Sequence, residues 1–284
     1  MSAQSNTARL PLDSIFHPSD FTQASEVAFV HALKLALIAP AELSIMHVAL
    51  EEAEVDWIDF PGVRSTLARL GLLPEGSPRE AVANLGLGVQ KVLASQADPV
   101  HAILRYLDNH PTDLVVLATH QREGLARWWH RAVAEPVARR SATMTLFVPY
   151  GAPGFVSLAN GTVTLQRILI PIDTVPRPQA AVEAAAGLAR VLGCDAVSFT
   201  LVHIGAAGDM PAVHAPHHER WVWDRAIRHG NVVEQILDME AVSAADLIVL
   251  TTQGHHGVLD ALRGSTSERI VRGARCPVLA IPAA

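Results

Sequence analysis

Short apolar runs alternate with helix-like stretches along this chain. Residues 166–172, 197–204, 246–252 and 277–282 are apolar segments of strand length and read as buried strands. Between them, the alanine-rich stretch from Pro178 to Leu192 and the stretch from Val232 to Ala241 have the composition and spacing of helices. Buried strands alternating with helices predict a parallel sheet with helices on both faces. Ligands on such sheets lie at the carboxyl ends of strands, where the strand order switches. The longest greasy segment, Val27 to Leu50, is interrupted by His31, Lys34, Pro40, Glu42 and His47. A membrane span needs about 20 mostly apolar residues, so this segment reads as helix, turn and strand, and no membrane association is expected.

The pattern occurs twice. Residues 97–149 align without a gap on 230–282, and thirteen of these 53 pairs are identical, including Asp113/Asp246, Thr119/Thr252, Gly124/Gly257, Glu135/Glu268 and Pro149/Pro282. The segment Ile15–Asp20 resembles Ile168–Asp173, and the run ending His47-Val48 resembles the one ending His203-Ile204. The first copy is longer, with the extra residues placed between His47 and Ala97. The Gly- and Pro-rich stretch Tyr150–Gly161 reads as the linker. The expected units are therefore residues 1–157 and 158–284.

The most informative stretch follows the strand Asp246–Thr252. It runs through Gly254, His255, His256 and Gly257 to Gly264, Ser265 and Thr266, and leads into the helical sequence Ser267–Arg272. A strand, a glycine-punctuated loop and a helix start carrying Ser and Thr make a phosphate cradle. Glycine lets backbone N–H groups approach an anion, and the helix N-terminus adds unpaired donors and a favourable dipole. Asp173 and Gly254 both sit just past strand ends, on the same edge of the sheet. Asp173 alternatively reads as a helix N-terminal cap.

These motifs together resemble the universal stress protein family: Pro171-Ile-Asp173, the second-strand end Leu201-Val-His203-Ile, Gly254-x2-Gly257, Gly264-Ser265, and Cys276-Pro-Val-Leu-Ala-Ile-Pro282. The resemblance covers the second unit fully and the first in outline, so the chain looks like a tandem member. It implies an α/β architecture of two flavodoxin- or Rossmann-like units, each a parallel five-stranded sheet flanked by helices. It implies a stress-response sensor or regulator that binds ATP or another adenine nucleotide, with Mg2+, in its second unit. On that basis Pro171 and Asp173 meet the adenosine end, Val202 and His203 wall the adenine, and Thr252 lies at the same strand edge. Gly254 and Gly257 approach ribose and phosphates, while Gly264, Ser265 and Thr266 hold the phosphate tail. The loop departs from the family pattern, with six residues instead of nine between Gly257 and Gly264. The resemblance also implies pairing through the last strands, Leu146–Pro149 and Val278–Pro282, either between the two units or in a homodimer.

The first unit has lost the cradle. Gln121, Arg131, Ala132 and Val133 stand where the second unit has Gly254, Gly264, Ser265 and Thr266, while Gly124 and Asp20 remain. A weak or absent nucleotide site is expected there. Arg122, Arg127 and Arg131 could hold an anion but read better as a solvated basic face, and Trp128-Trp129 read as a cover, a partner contact or core.

Composition narrows the alternatives. The formal net charge is −6 with no long basic run, which argues against a nucleic-acid binder. Two cysteines without metal spacing, and a polar N-terminus, predict a reduced, cytoplasmic protein. Neither a P-loop lysine nor a Gly-x-Ser-x-Gly nucleophile motif is present, so catalysis beyond slow ATP hydrolysis is not expected. Among fourteen histidines, His214, His217 and His218 cluster near Glu219, but their spacing matches no zinc signature. His47 and His203 at equivalent strand ends suggest a shared hydrogen bond to neighbouring backbone, and Trp221 and Trp223 alternate as on an edge strand. The competing functional readings are a non-binding interaction module and a metal-dependent hydrolase built on the histidine cluster.

Overall fold

The computed structural model describes residues 10–49, 60–119, 136–137, 140–152, 154–253 and 265–283. Its strands are β1 (Ser14–Pro18), β2 (Glu42–Ala49), β3 (Gly88–Ser95), β4 (Leu114–Thr119), β5 (Met144–Pro149), β6 (Arg167–Pro171), β7 (Val197–Ile204), β8 (Trp221–Arg228), β9 (Leu247–Thr252) and β10 (Val278–Pro282). Its helices are α1 (Gln23–Ile38), α2 (Val63–Arg69), α3 (Glu80–Ala83), α4 (Pro99–Asn109), α5 (Gln179–Val191), α6 (Val232–Ser243) and α7 (Thr266–Gly273).

All strands lie in one ten-stranded sheet, ordered β3-β2-β1-β4-β5-β10-β9-β6-β7-β8. Each half is a parallel five-stranded unit, and the halves meet through the antiparallel pair β5–β10, where Val278 faces Phe147 and Ala280 faces Thr145. The last strands of the two units thus pair with each other. One apolar core lies on the face covered by α1 and α5, and draws residues from both units, from Leu12 to Leu279. The other face is covered by α4, α6 and α7.

The repeat is visible in how the strands start. Asp113 Oδ2 accepts hydrogen bonds from the backbone N–H groups of Asp13 and Ser14 at 2.9 Å, fixing β1 beside β4. The matching Asp246 accepts from Gln166 and Arg167 at 3.0 and 2.9 Å, and its other oxygen pairs with the Arg167 guanidinium. Helix starts repeat as well. Asp98 caps α4 and Asn231, its counterpart, caps α6, each accepting from the next free backbone N–H groups.

The greasy segment from Val27 divides into α1, a turn and β2 as expected. The longer crossover from β2 to β3 in the first unit holds α2 and α3. The matching crossover of the second unit, residues 205–220, is held instead by side chains reaching its backbone. Gln179 makes paired bonds to the His214 backbone at 2.9 and 3.0 Å, and Trp223 Nε1 donates to Pro216 O at 3.2 Å. Trp221 and Trp223 do lie on an edge strand, β8, with Trp223 stacked on Phe199 at 4.0 Å and Val222 between them facing out.

The linker is more than a tether. Phe155 and Val156 are fully buried, and Val156 bridges to Val163 in a narrow antiparallel turn. That turn packs on α1, whose His31 is fully buried beneath it. His31 Nδ1 donates to Val27 O at 2.8 Å, so Nε2 is the acceptor, and it takes the N–H groups of Phe155 and Val156 at 3.1 and 3.2 Å. No described helix is long and apolar enough to cross a membrane.

Candidate functional site

In the second unit β6 lies between β9 and β7, so the chain steps from β6 to β7 on one side and returns to β9 on the other. The carboxyl ends of β6 and β9 therefore flank the switch in strand order, where ligands of open parallel sheets bind. Pro171 ends β6 opposite Val202 of β7, and the Ile172 N–H donates to Val202 O at 2.8 Å. This bond carries the pairing one residue past β6 and projects Asp173 from the sheet edge.

Asp173 is exposed, and its Oδ1 accepts from the Thr174 backbone N–H at 2.7 Å and from the Thr174 hydroxyl at 3.4 Å. It does not cap the following helix, because Pro178 occupies the cap of α5 and no side chain bonds there. The carboxylate stands at the strand end, turned by its neighbour.

His203 follows Val202 and is 3% exposed. Its Nδ1 donates to Ile172 O at 3.1 Å, and a carbonyl partner requires the proton on Nδ1, leaving Nε2 as an acceptor. Nε2 is buried with no partner among the described residues. A Cβ on Gly205 would lie 2.7 Å from it, so only glycine lets the chain turn this closely over the ring. His47 repeats the arrangement, donating from Nδ1 to Ser19 O at 2.7 Å, while Ser19 N donates to Met46 O. The shared backbone bond expected of the two histidines is present in both units. Val202 itself is fully buried among the residues under α6 and α7, so its side chain belongs to the core and its carbonyl to the sheet.

On the β9 side, the Thr252 hydroxyl donates to Ile281 O at 3.3 Å, tying β9 to β10. Ser265 caps α7, its Oγ accepting from Glu268 N at 3.2 Å, and Thr266, the first residue of that helix, is exposed. Glu268 pairs with Arg272 one turn on. A serine hydroxyl that accepts as a cap also carries a proton it can donate. Gly254, His255, His256, Gly257 and Gly264 lie outside the described residues, as do Gly124, Arg122, Arg127, Trp128, Trp129, Arg131, Ala132 and Val133 of the first unit. Pro171, Asp173 and His203 thus stand at the ends of β6 and β7, Thr252 at the end of β9, and Ser265 and Thr266 at the start of α7, with Val202 in the core.

The histidine cluster does not converge. His214 meets Gln179 through its backbone, His218 stacks on Trp221 at 4.6 Å, and His217 is exposed. Among the described residues no three histidine, cysteine or carboxylate side chains come together as a metal site would require.

The first unit differs where Asp20 should stand free. Its Oδ1 accepts from Thr22 N, the Thr22 hydroxyl and the Ser25 hydroxyl, at 3.1, 2.8 and 2.7 Å. The carboxylate is drawn into the N-terminus of α1. No sequence signal beyond the Ser and Thr that follow Asp20 points to this.

Comparison with known proteins agrees with the architecture. The profile of the universal stress protein family matches residues 12–149 and 222–282, most of the chain. Residues 150–221, which carry Pro171, Asp173, Val202 and His203, fall between the two segments. A universal stress protein from Archaeoglobus fulgidus superposes with a TM-score of 0.62 at 16% identity, over 96% of this chain and 99% of that one. A functionally unknown protein from Pseudomonas aeruginosa gives 0.63 at 13% identity, over 96% and 94%. At such identities the likeness shows the fold. No curated protein matches the chain in sequence.

Proposed function

The chain belongs to the universal stress protein family, and on that premise we propose that it binds an adenine nucleotide, ATP with Mg2+, in its second unit and serves as a nucleotide-dependent sensor or regulator in the stress response. The reading is supported by two features on neighbouring strands of the switch, the exposed Asp173 carboxylate past the end of β6 and the Ser265-capped N-terminus of α7, the helix that follows β9. The two have opposite affinities. A carboxylate repels phosphate and accepts from ribose hydroxyls, whereas a helix N-terminus attracts phosphate. A nucleotide laid along the edge satisfies both, with its sugar toward β6 and its phosphates toward α7. His203 Nε2 adds a buried acceptor on the β7 side.

The reading is one of binding. Ser265 Oγ is engaged as the cap of α7. Residues 158–284 form the nucleotide-holding unit on this reading, and residues 1–157 the partner unit, joined to it through β5 and β10. The site is tested by isothermal titration with Mg-ATP. One equivalent per chain is expected, lost in Asp173→Ala without loss of cooperative unfolding. Gly257→Trp should abolish binding in the same way. Unchanged affinity in both variants overturns the assignment.

A further inference from the structure

The last strands of the two units are paired with each other, so the outer edges of the ten-stranded sheet are β3 and β8. β8 is eight residues long and is bonded on one side only, by β7. Its two sides can be told apart. Gly205 N–H donates to Arg228 O at 2.9 Å, so Arg228 turns its backbone groups toward β7. Backbone groups alternate in direction along a strand, so Val222, Asp224 and Ala226 turn the same way as Arg228. Trp223, Arg225 and Ile227 turn their N–H and C=O groups outward, where no described backbone group meets them. Such a row of unmet groups is a template for another strand.

Natural edges are commonly guarded by lysine or proline, and β8 contains neither. Asp224, Arg225 and Arg228 of β8 are exposed, and among the described residues none of them forms an ion pair. Arg228 is oriented by its Nε, which donates to Met239 Sδ at 3.1 Å. These charges fit a second copy of the same strand. When identical strands pair antiparallel about a two-fold axis, opposed residues lie on the same face of the sheet. Centring the axis on Asp224 opposes two carboxylates, and centring it on Arg225 opposes two guanidiniums, both unfavourable. Centring it on Ala226 opposes two alanines and sets Asp224 of each copy against Arg228 of the other. It is the one centre within β8 that opposes a carboxylate and a guanidinium. Arg225 of each copy then faces Ile227 of the other, and their outward N–H and C=O groups satisfy each other. β3 offers no such register, because its one charge, Lys91, lies over the Phe60 ring and the strand holds no carboxylate.

We propose that β8 is a self-association surface, on which two copies of this chain pair antiparallel about Ala226 and continue the sheet across a two-fold axis. The pairing is isologous and closes at the dimer, since the edge is used up by its own copy. The contact is small and held by backbone bonds with a charge pair at each end, so association is reversible and weakens with salt. It needs no nucleotide, and it stands or falls independently of the reading of the second unit's site.

The full chain is tested without nucleotide by sedimentation velocity, in a dilution series reaching about 100 μM. A reversible monomer–dimer equilibrium is expected. Asp224→Arg and Arg228→Asp should each weaken it at least about tenfold, because each reverses both symmetry-related pairs. The double variant Asp224→Arg/Arg228→Asp should recover it, since opposite charges face each other again. Arg225→Pro removes an outward N–H and leaves the β7 ladder intact, so it should abolish the dimer while unfolding stays cooperative. Ala226→Cys, on the axis, should form an interchain disulfide in a glutathione redox buffer, and Val222→Cys should not. Should a charge variant fail to fold, the Ala226 cross-link decides the register. Three results overturn the proposal: a monomer throughout the series, association that runs past the dimer, or a dimer whose strength the single charge reversals leave unchanged.

Discussion

Replacing His31 by leucine tests how the two units are stapled together. His31 Nε2 is the acceptor for two buried backbone N–H groups of the linker, and leucine fills a similar volume without accepting either. Each orphaned buried donor costs about 1–3 kcal/mol, so the variant should lose about 2–6 kcal/mol at neutral pH. The wild-type bond also carries a pH signature. Burial pulls the imidazole down from 6.5 to about 4, against a smaller opposing effect of the Val27 carbonyl. Between these values the unfolded chain binds a proton that the folded chain refuses, so stability rises with pH. The contribution is fully present above pH 6.5 and is lost as the pH falls through about 4. At pH 5 it has cost the native state about 2 kcal/mol relative to pH 8, and at most about 3 kcal/mol at lower pH. The assay is urea unfolding of both proteins at pH 8 and pH 5, using the difference between them so that the other histidines cancel. His31→Leu should be less stable at pH 8 and show the smaller fall on acidification. A loss below about 1 kcal/mol at pH 8, or identical pH slopes in the two proteins, refutes the reasoning.

Two further outcomes follow from side chains at the base of the second unit. Glu240, 5% exposed, accepts from the backbone N–H groups of Arg275 and Cys276 at 2.6 and 2.7 Å, fixing the entry to β10. Glu240→Ala should therefore cost about 2–4 kcal/mol in chemical unfolding, with Glu240→Gln, which keeps an acceptor oxygen, costing about half as much. Cys276 is buried, and burial together with the Glu240 carboxylate pushes its thiol far above the ordinary range, while burial pushes Cys194 up to about 11. In native protein at pH 8 a thiol reagent should label Cys276 only at the rate of unfolding and Cys194 slowly, and denaturant should release both.

How much was legible beforehand follows from the range of the interactions. The identical Asp113 and Asp246 show in sequence because each bonds backbone at the start of a neighbouring strand, a task that demands a short carboxylate at one register position. His47 and His203 are legible for the same reason. His31 looks like a polar blemish in a greasy helix until the linker is laid over it, and Tyr150–Gly161 looks like a loose connection although Phe155 and Val156 are core residues. The stacking of Phe21 on His47 and against Phe60 gives no signal at all, since the partner rings reach it from other elements.

The sequence by itself determined the alternation of strands and helices, the duplication and the family. These follow from local periodicity and from residues whose backbone tasks recur in each unit. Tertiary structure alone decided that the two units share one continuous core and that a neutral histidine pins their connection. Those outcomes depend on which side chains meet across long sequence separations, and no local pattern encodes the distance between groups that touch only after the sheet has formed.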